Sequence, residues 1–242
     1  MLLSILPSFA QGSAEKLVAD FYTAVKTNQK ASSDELALKI AQLNQDELDK
    51  ELSDDKKRLA FWMNVYNSNI QYILKADPKK FEDRGAFFKA KQITVAGELL
   101  SFDVLEHGIM RKSVSKLSLG YLGKINVSKF ERKFRVKRVN PRIHYALNCG
   151  ALSCPLVQLY HSATVEAELD KNVKDYLSKT VVVEANKIKV PVLFSWFRAD
   201  FGGIKGVKKF LLSYDLIQES DKKKSLEFLD YDWTLALDPY VK

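Results

Sequence analysis

Residues 53–78 read SDDKKRLAFWMNVYNSNIQYILKADP, and this stretch decides the fold. Ser53 or Asp54 can cap a helix that runs to about Lys75 and ends before Asp77-Pro78. The middle of the stretch is apolar on nearly every side, which is typical of a helix surrounded by core. The sequence therefore predicts a central, buried helix.

Amide side chains interrupt this apolar helix on one side only. At about 100° per residue, Asn64, Asn67 and Gln71 share a stripe about 60° wide. Because buried amides must be hydrogen-bonded, the stripe faces either loop backbones or a polar cavity. The first alternative makes Asn64 and Asn67 structural, and the second makes them site-lining residues.

Both cysteines lie in residues 139–156, VNPRIHYALNCGALSCPL, together with His144. Asn140-Pro141 is typical of a helix start and Gly150 of a helix end, which would place Cys149 at a helix C-terminus. A strand over the same residues is also compatible with the pattern.

Cys154 lies in the loop after Ser153, where a thiol is more accessible, so we expect it rather than Cys149 to be the nucleophile. An inert role as a small buried hydrophobe is the alternative for either cysteine. Asn148, Arg142 and Ser153 accompany the two thiols and are candidate site-lining residues.

Residues 97–111, GELLSFDVLEHGIMR, supply a histidine beside a carboxylate, Glu106-His107. Ser101 can cap a short helix here, on which Asp103 and His107 would share a face. A histidine oriented by a carboxylate is a general-base arrangement, and it is equally a way to hold a helix end.

Composition places the chain among ordinary globular proteins, with 242 residues, 46% hydrophobic and 28% charged. Two cysteines are too few for a disulfide scaffold. His144, Cys149, Cys154 and His161 lack the close ligand spacing of common structural zinc sites, so we expect neither a metal nor a cofactor.

The net charge of +8 is concentrated between Lys124 and Arg142, where eight basic residues face one acid, Glu131. This segment can receive an anionic partner, or its interleaved apolar residues can make it a solvated face over a core. No nucleic-acid motif is present, so no nucleic-acid partner is expected. No apolar run is long enough to cross a membrane.

Residues 1–12 end in a small-x-small pattern at Ser8-Phe9-Ala10 and form a possible remnant of an export signal. This favours a periplasmic or secreted protein, with a cytoplasmic one as the alternative. Residues 13–52 predict a helical lead-in, whose second helix would start at Ser32 through a capping box with Glu35.

Residues 53–242 predict a single α+β domain with a small antiparallel sheet. Its further predicted elements, each from period or turn signals, are a hairpin over Lys91–Phe102, a helix over Thr164–Leu177, a hairpin over Thr180–Val192, an aromatic cluster over Leu193–Phe201, a helix over Lys205–Gln218 and a strand over Tyr231–Leu235.

Three runs, AFWMNVYNSNIQYIL, ITVAGELLSFDVLEHGIMR and NPRIHYALNCGALSCP, resemble the family catalogued as domain of unknown function 547. The resemblance covers roughly Ser53 to Leu237. In that family the last block usually begins Asp-Pro-Arg and ends Cys-Pro-Pro, whereas Asn140 and Leu156 stand at those places here.

The family's overall look is similar to transglutaminase-like and papain-like folds, in which a central helix packs against an antiparallel sheet. In those folds the central helix opens with the nucleophilic cysteine, but this chain has asparagines there. The resemblance therefore implies either that the thiol is Cys149 or Cys154, or that the site is not catalytic.

Two functional hypotheses follow. The first is a thiol-dependent hydrolase or acyl transferase acting on an amide or ester, with His107 or His144 as base and Glu106 as the orienting carboxylate. In it, Asn67 or Asn148 would stabilise the oxyanion. The second is a non-catalytic binding or scaffold module that receives a peptide, a glycan or a small molecule.

Overall fold

The computed structural model describes residues 13–241, so the predicted export-signal remnant, residues 1–12, lies outside the described residues. The helices and strands within that range are α1 (Ser13–Lys26), α2 (Lys30–Ala41), α3 (Gln45–Glu51), α4 (Asp55–Ala76), α5 (Arg84–Lys89), β1 (Ile93–Val95), β2 (Glu98–Leu100), α6 (Lys129–Phe134), α7 (Val165–Thr180), β3 (Val182–Val183), β4 (Lys187–Pro191), α8 (Leu193–Trp196), α9 (Gly203–Ser213) and β5 (Ser225–Leu229). A π-helix spans Val104–Met110, and short 3₁₀ turns span Pro78–Phe81, Lys116–Ser118, Pro141–Tyr145, Arg198–Phe201 and Glu219–Lys223.

Helix α4 is the centre of the larger of two apolar cores, as the sequence predicts. The Asp54 side chain caps it by accepting the backbone N–H groups of Lys56 and Lys57. The helix packs against α1, the π-helix and α7, and its Trp62 is fully buried. Because α4 is covered by helices on several sides, no broad polar face is left on it.

The sheet confirms the α+β class but differs from the expected antiparallel arrangement. β3 and β4 form an antiparallel hairpin, and β5 then joins β4 in parallel. This sheet lies in the second core, which also contains α7, α8 and α9 residues. The separate β1–β2 hairpin confirms the hairpin predicted over Lys91–Phe102.

Several predicted boundaries were wrong. Helix α2 begins at Lys30, so Ser32 lies inside it and does not cap it. The predicted strand over Tyr231–Leu235 is not formed, since β5 ends at Leu229 and only Leu235 makes an isolated bridge, to Ala151.

The helix predicted after Asn140-Pro141 exists only as a 3₁₀ turn that ends at Tyr145. Cys149 therefore does not lie at a helix C-terminus; it lies in a loop before Gly150. Gly150 has a φ of +94°, and a Cβ there would come within 2.8 Å of Leu74. Both facts require glycine next to the first thiol.

Among residues 13–241, no helix combines the length and apolarity needed to cross a bilayer.

Candidate functional site

A cavity of about 330 Å³ lies between the π-helix, the 141–149 loop and the C-terminal aromatic segments. Its ionisable lining groups come from two parts of the chain. They are Asp103, Glu106, His107, Arg111, Lys116, His144 and Cys149. Its aromatic lining groups are Tyr66, Phe88, Trp196, Phe197, Tyr231 and Trp233. The cavity therefore combines apolar walls with a few convergent polar groups, as ligand sites commonly do.

The π-helix decides which of its side chains reach the cavity. The Ser101 hydroxyl accepts the Val104 N–H at 3.2 Å, as the sequence predicts for a cap. The Arg111 N–H donates to the Glu106 carbonyl at 2.8 Å, five residues back. This wider turn lets Glu106, His107 and Arg111 line one cavity, and such turns are frequent at functional sites.

Arg111 is 1% exposed and holds the polar groups of the cavity together. Its guanidinium makes a two-pronged ion pair with Asp200, with Nε–Oδ2 at 2.6 Å and Nη2–Oδ1 at 2.9 Å. Its third nitrogen, Nη1, lies 2.9 Å from Nδ1 of His107. Because a guanidinium only donates, His107 accepts at Nδ1 and carries its proton on Nε2.

His107 is therefore a neutral imidazole. Burial is the main cause that holds the pKa of His107 well below its usual range, and the Arg111 charge adds to it. The two predicted carboxylate partners are more distant, with Asp103 at 3.7 Å and Glu106 at 3.8 Å from the ring nitrogens. The prediction that a carboxylate orients His107 was wrong, because Arg111 has that role.

His144 is oriented by a carboxylate that the sequence did not identify. Its Nε2 lies 2.8 Å from Oδ2 of Asp200, and its ring stacks on Phe197 with centroids 3.7 Å apart. Burial tends to raise the pKa of Asp200, but hydrogen bonds from His144 and Arg111 lower it overall, so this carboxyl is ionised. Burial also lowers the pKa of His144 to about 4, against the opposing effect of Asp200. His144 is thus neutral near pH 7, donates through Nε2, and keeps Nδ1 as its acceptor.

Glu106 differs from the other acids of the site because no cation neutralises it directly. Its nearest hydrogen-bond partner is the Tyr66 hydroxyl, at 3.4 Å from Oε2. Burial raises the pKa of Glu106 to about 7, although the Arg111 charge opposes this shift. A carboxyl that titrates near neutral pH can both donate and accept a proton, which is what general acid–base chemistry requires.

The two thiols lie in contact. Their sulfur atoms are 2.7 Å apart, longer than the disulfide bond length of about 2.05 Å, and both cysteines are free. The Cys154 sulfur also accepts the Cys149 backbone N–H at 3.0 Å and lies 3.1 Å from the Tyr231 hydroxyl.

These contacts separate the acidities of the two thiols. Burial raises the pKa of Cys154, but hydrogen bonds from the Cys149 thiol, the Tyr231 hydroxyl and the Cys149 backbone lower it below its ordinary value overall. The hydrogen bond to Cys154, together with burial, raises the pKa of Cys149. A pair that has lost one proton therefore carries its charge on Cys154 and its proton on Cys149.

The structure brings four of the five predicted catalytic residues to one cavity: Glu106, His107, His144 and Cys149. Cys154 contacts Cys149 but does not line the cavity, so the accessibility argument that favoured Cys154 is reversed. Among the hydrogen bonds of residues 13–241, none joins an imidazole to either sulfur. The predicted thiol–imidazole contact is therefore not formed, because Arg111 and Asp200 hold the two rings.

The predicted amide residues have structural partners and do not line the cavity. Asn64 exchanges two hydrogen bonds with the backbone of Tyr160, at 2.7 and 2.9 Å. Asn67 donates to the Ala146 carbonyl and accepts the Asn148 N–H. The Asn148 side chain donates to the Pro155 carbonyl and accepts the Gly150 N–H. Neither Asn67 nor Asn148 is thus among the residues that line the cavity.

Arg142 and Ser153 also lie outside the cavity. Arg142 pairs with Glu166 and Asp170 on α7, which anchors the 3₁₀ turn against that helix. The Ser153 hydroxyl accepts the Asp232 N–H at 2.8 Å. Both residues position the thiol-bearing loop from outside, and neither is a lining residue.

Sequence reasoning missed Arg111, Asp200 and the aromatic walls. Arg111 follows His107 by one helical turn, and Asp200 is the single acid within the aromatic run 193–201, so a weak signal exists for each. Their pairing across 89 residues has no local signature. Within the described range, no three His, Cys, Asp or Glu side chains are grouped as a metal ion would require.

A family model described as "Protein of unknown function, DUF547" matches residues 50–177, which is more than half of the chain. The chain belongs to this DUF547 family. No curated protein matches the chain, and no solved structure matches it. The predicted similarity to transglutaminase-like and papain-like folds therefore stays a prediction.

The DUF547 match covers one wall of the cavity and not the other. Glu106, His107, Arg111, His144 and both cysteines fall inside residues 50–177. Asp200 and the aromatic side chains of residues 196–233 lie beyond them. The ionisable groups thus come from the matched segment, and most of the aromatic wall comes from the segment that follows it.

Proposed function

We propose that this cavity is the active site of a thiol-dependent hydrolase or acyl transferase that acts on an amide or ester. The observation that carries the proposal is the shared cavity, in which the Cys149 thiol and the Glu106 carboxyl both line the same 330 Å³ space. A nucleophile and a proton donor within one site are the minimum that acyl transfer needs.

Cys149 is the nucleophile in this proposal, and Cys154 is its base. Cys149 passes its proton to the Cys154 sulfur, 2.7 Å away, as it attacks the acyl carbon. Because the pKa of Cys149 is raised, its thiolate is the stronger nucleophile of the two. Cys154 thereby replaces the imidazole that usually activates a thiol.

Glu106 supplies the second proton transfer. The carbon–sulfur bond forms, the leaving group departs with the Glu106 proton, and Cys149 is left acylated. Ionised Glu106 then takes a proton from water, which attacks the thioester. Cys149 leaves as a thiolate and recovers its proton from Cys154, so that every proton is returned. An amine or alcohol in place of water makes the reaction an acyl transfer.

The imidazoles have supporting roles in this scheme. The Nε2–H of His107, whose tautomer is set by Arg111, is a donor suited to the developing oxyanion. His107 thus takes the role of oxyanion donor that the sequence suggested for Asn67 or Asn148, whose side-chain amides are bonded to backbone groups.

The test uses p-nitrophenyl acetate as the acyl donor and follows both nitrophenolate release and the acetylated residue by mass spectrometry. We expect a burst and an acetyl group on Cys149, with no burst in Cys149→Ser. Glu106→Gln should slow turnover by about 10²-fold. His161→Gln, which changes an exposed histidine outside the cavity, is the matched control and should react normally.

A non-catalytic binding module is the second candidate, and one observation favours it. The cavity has six aromatic side chains in its walls, while no imidazole contacts a sulfur among the described residues. Wild-type protein that is acetylated no faster than Cys149→Ser would support this alternative. A ligand that quenches the fluorescence of Trp196 and Trp233 would then define it.

A further inference from the structure

The turn over residues 114–125 presents three large apolar side chains to solvent. Tyr121 is 60%, Leu122 66% and Ile125 98% exposed. Single exposed apolar residues are normal on protein surfaces, but three within five residues form a patch that indicates an interaction site. We name Tyr121, Leu122 and Ile125 the apolar tip.

Backbone hydrogen bonds fix the apolar tip. The Ser115 N–H donates to the Leu122 carbonyl at 2.7 Å, and the Lys124 N–H donates to the Ser113 carbonyl at 2.8 Å. The Ser118 hydroxyl accepts the Leu122 N–H at 2.8 Å. The turn is therefore formed before any partner binds, which lowers the entropy cost of docking.

Packing against the cavity wall also holds the base of this turn. Gly120 has a φ of +92°, and a Cβ there would come within 2.9 Å of both Asp200 and Arg111. Leu119 accepts the Ala199 N–H through its carbonyl and lines the cavity. The apolar tip thus projects from the edge of the candidate active site.

The segment that carries the apolar tip also carries the net charge of the protein. Residues 107–138 contain ten lysines and arginines and one acid, a balance of +9, whereas the whole chain is +8. The single acid, Glu131, is 3% exposed and paired with Lys124. The surface of this segment therefore presents cations without an exposed carboxylate.

Among the described residues, only four of these ten cations pair with a carboxylate, namely Arg111, Lys116, Lys124 and Lys133. In the described part of the chain, no carboxylate lies within 4.0 Å of the side chains of five exposed residues. They are Lys112, Lys129, Arg132, Lys137 and Arg138. Exposed apolar side chains that share one segment of the chain with such cations match a lipid surface, whose acyl layer takes the former and whose anionic headgroups take the latter.

We propose that the apolar tip and the cations of residues 112–138 form a docking surface for an anionic lipid bilayer. A polyanion without an apolar layer, such as nucleic acid, would use the cations but gain little from Leu122 and Ile125. The loss of binding on removal of the apolar tip therefore distinguishes a lipid bilayer from nucleic acid.

The test is co-sedimentation of the full chain with phosphatidylcholine vesicles that contain or lack phosphatidylglycerol. We expect binding only when phosphatidylglycerol is present, and weaker binding at high salt because screening reduces the attraction. The double variant Leu122→Ser/Ile125→Ser should lose about tenfold or more in partition coefficient. Lys129→Ser and Arg132→Ser should each lose roughly fivefold.

The matched control is Leu38→Ser, which removes a leucine that is 62% exposed on α2 and should leave partition unchanged. Circular dichroism confirms that each variant is folded. Binding that is equal with and without phosphatidylglycerol, or that the double variant retains, overturns the proposal. Tight binding to duplex DNA that the double variant keeps, with no vesicle binding, also overturns it and identifies a polyanion face.

Discussion

The amides Asn64 and Asn67 of α4 and the ionisable groups of the cavity are both buried polar clusters, but they differ in how many hydrogen-bond partners their side chains have. Asn64 and Asn67 each make two backbone hydrogen bonds. Glu106 has a single weak partner at 3.4 Å, and His107 keeps an Nε2–H with no acceptor closer than 3.7 Å. Asn64 and Asn67, whose side chains bond to backbone groups, are therefore structural, whereas Glu106 and His107 keep polar atoms that a ligand can bind.

Arg111 sharpens this comparison because it lines the cavity although each of its three side-chain nitrogens already has a hydrogen-bond partner. We expect Arg111→Met to destabilise the fold by about 3–5 kcal/mol, since it leaves Asp200 buried with an unpaired charge. Urea unfolding measures this. Lys112→Met, at the exposed neighbouring position, should change stability by less than about 0.5 kcal/mol. A loss below about 1 kcal/mol in Arg111→Met would contradict the structural role that we assign to the ion pair.

Asn67→Ala tests the amide stripe itself. The change leaves the Asn148 N–H without a partner and the Ala146 carbonyl with only the Tyr160 hydroxyl at 3.4 Å, so we expect a loss of about 2–4 kcal/mol in the free energy of unfolding. The control is Asn69→Ala, which removes one hydrogen bond to Val65 inside the same helix. It should cost about 1 kcal/mol. Equal losses in the two variants would show that the stripe does not hold the thiol-bearing loop.

Glu106→Gln tests an unsaturated group and should act in the opposite direction. Burial raises the pKa of Glu106 from 4.5 to about 7. The folded state then binds more protons than the unfolded state above pH 4.5, so stability falls as pH rises through 7. This penalty is about 3 kcal/mol at about pH 8 and absent at about pH 4.

The variant should therefore be more stable than wild type at about pH 8, by up to about 3 kcal/mol, and equal to it at about pH 4. Urea unfolding across pH measures the difference. His144 must be taken into account, because its depressed pKa removes stability as pH falls from 6.5 towards 4 in both proteins. A variant that is less stable at both pH values would show that Glu106 is a structural residue.

Tyr231→Phe should have the smallest effect of the four. Its hydroxyl lies 3.1 Å from the Cys154 sulfur, and its loss removes one hydrogen bond that lowers the pKa of Cys154. We expect the onset of thiol alkylation to move upward by about one pH unit or less. The control is Tyr176→Phe, whose hydroxyl donates to the Ser153 carbonyl and touches neither sulfur. A shift of the same size in both variants would show that the Tyr231 hydroxyl does not lower the pKa of Cys154.

The sequence predicts the local parts of this molecule well. Apolar periodicity and the Asp54 cap locate α4, and turn residues locate both hairpins. The motifs of residues 97–111 and 139–156 supply most of the ionisable wall. Helix ends were less predictable, because a 3₁₀ turn and a π-helix have almost the same local pattern as an α-helix.

The remaining features depend on contacts between distant residues. Arg111, rather than the adjacent Glu106, orients His107, because Asp200 draws the guanidinium into the cavity from 89 residues away. The parallel pairing of β5 with β4 and the aromatic wall are likewise non-local. No spacing rule in the sequence predicts which acid will contact which base. The sequence therefore predicted one site for the thiols and imidazoles but the wrong partners: the thiols contact each other, and the imidazoles contact Arg111 and Asp200.

The most direct test of the account is the ultraviolet absorbance of thiolate as a function of pH, in wild type and in Cys149→Ser and Cys154→Ser. We expect wild type to gain one thiolate below the ordinary cysteine pKa of about 8.5, and a second only well above it. Cys154→Ser should lose the early thiolate, since burial still raises the pKa of Cys149 when the hydrogen bond to Cys154 is gone. Two thiols that both titrate at or above the ordinary value in wild type would contradict a Cys149–Cys154 pair that is prepared for acyl transfer.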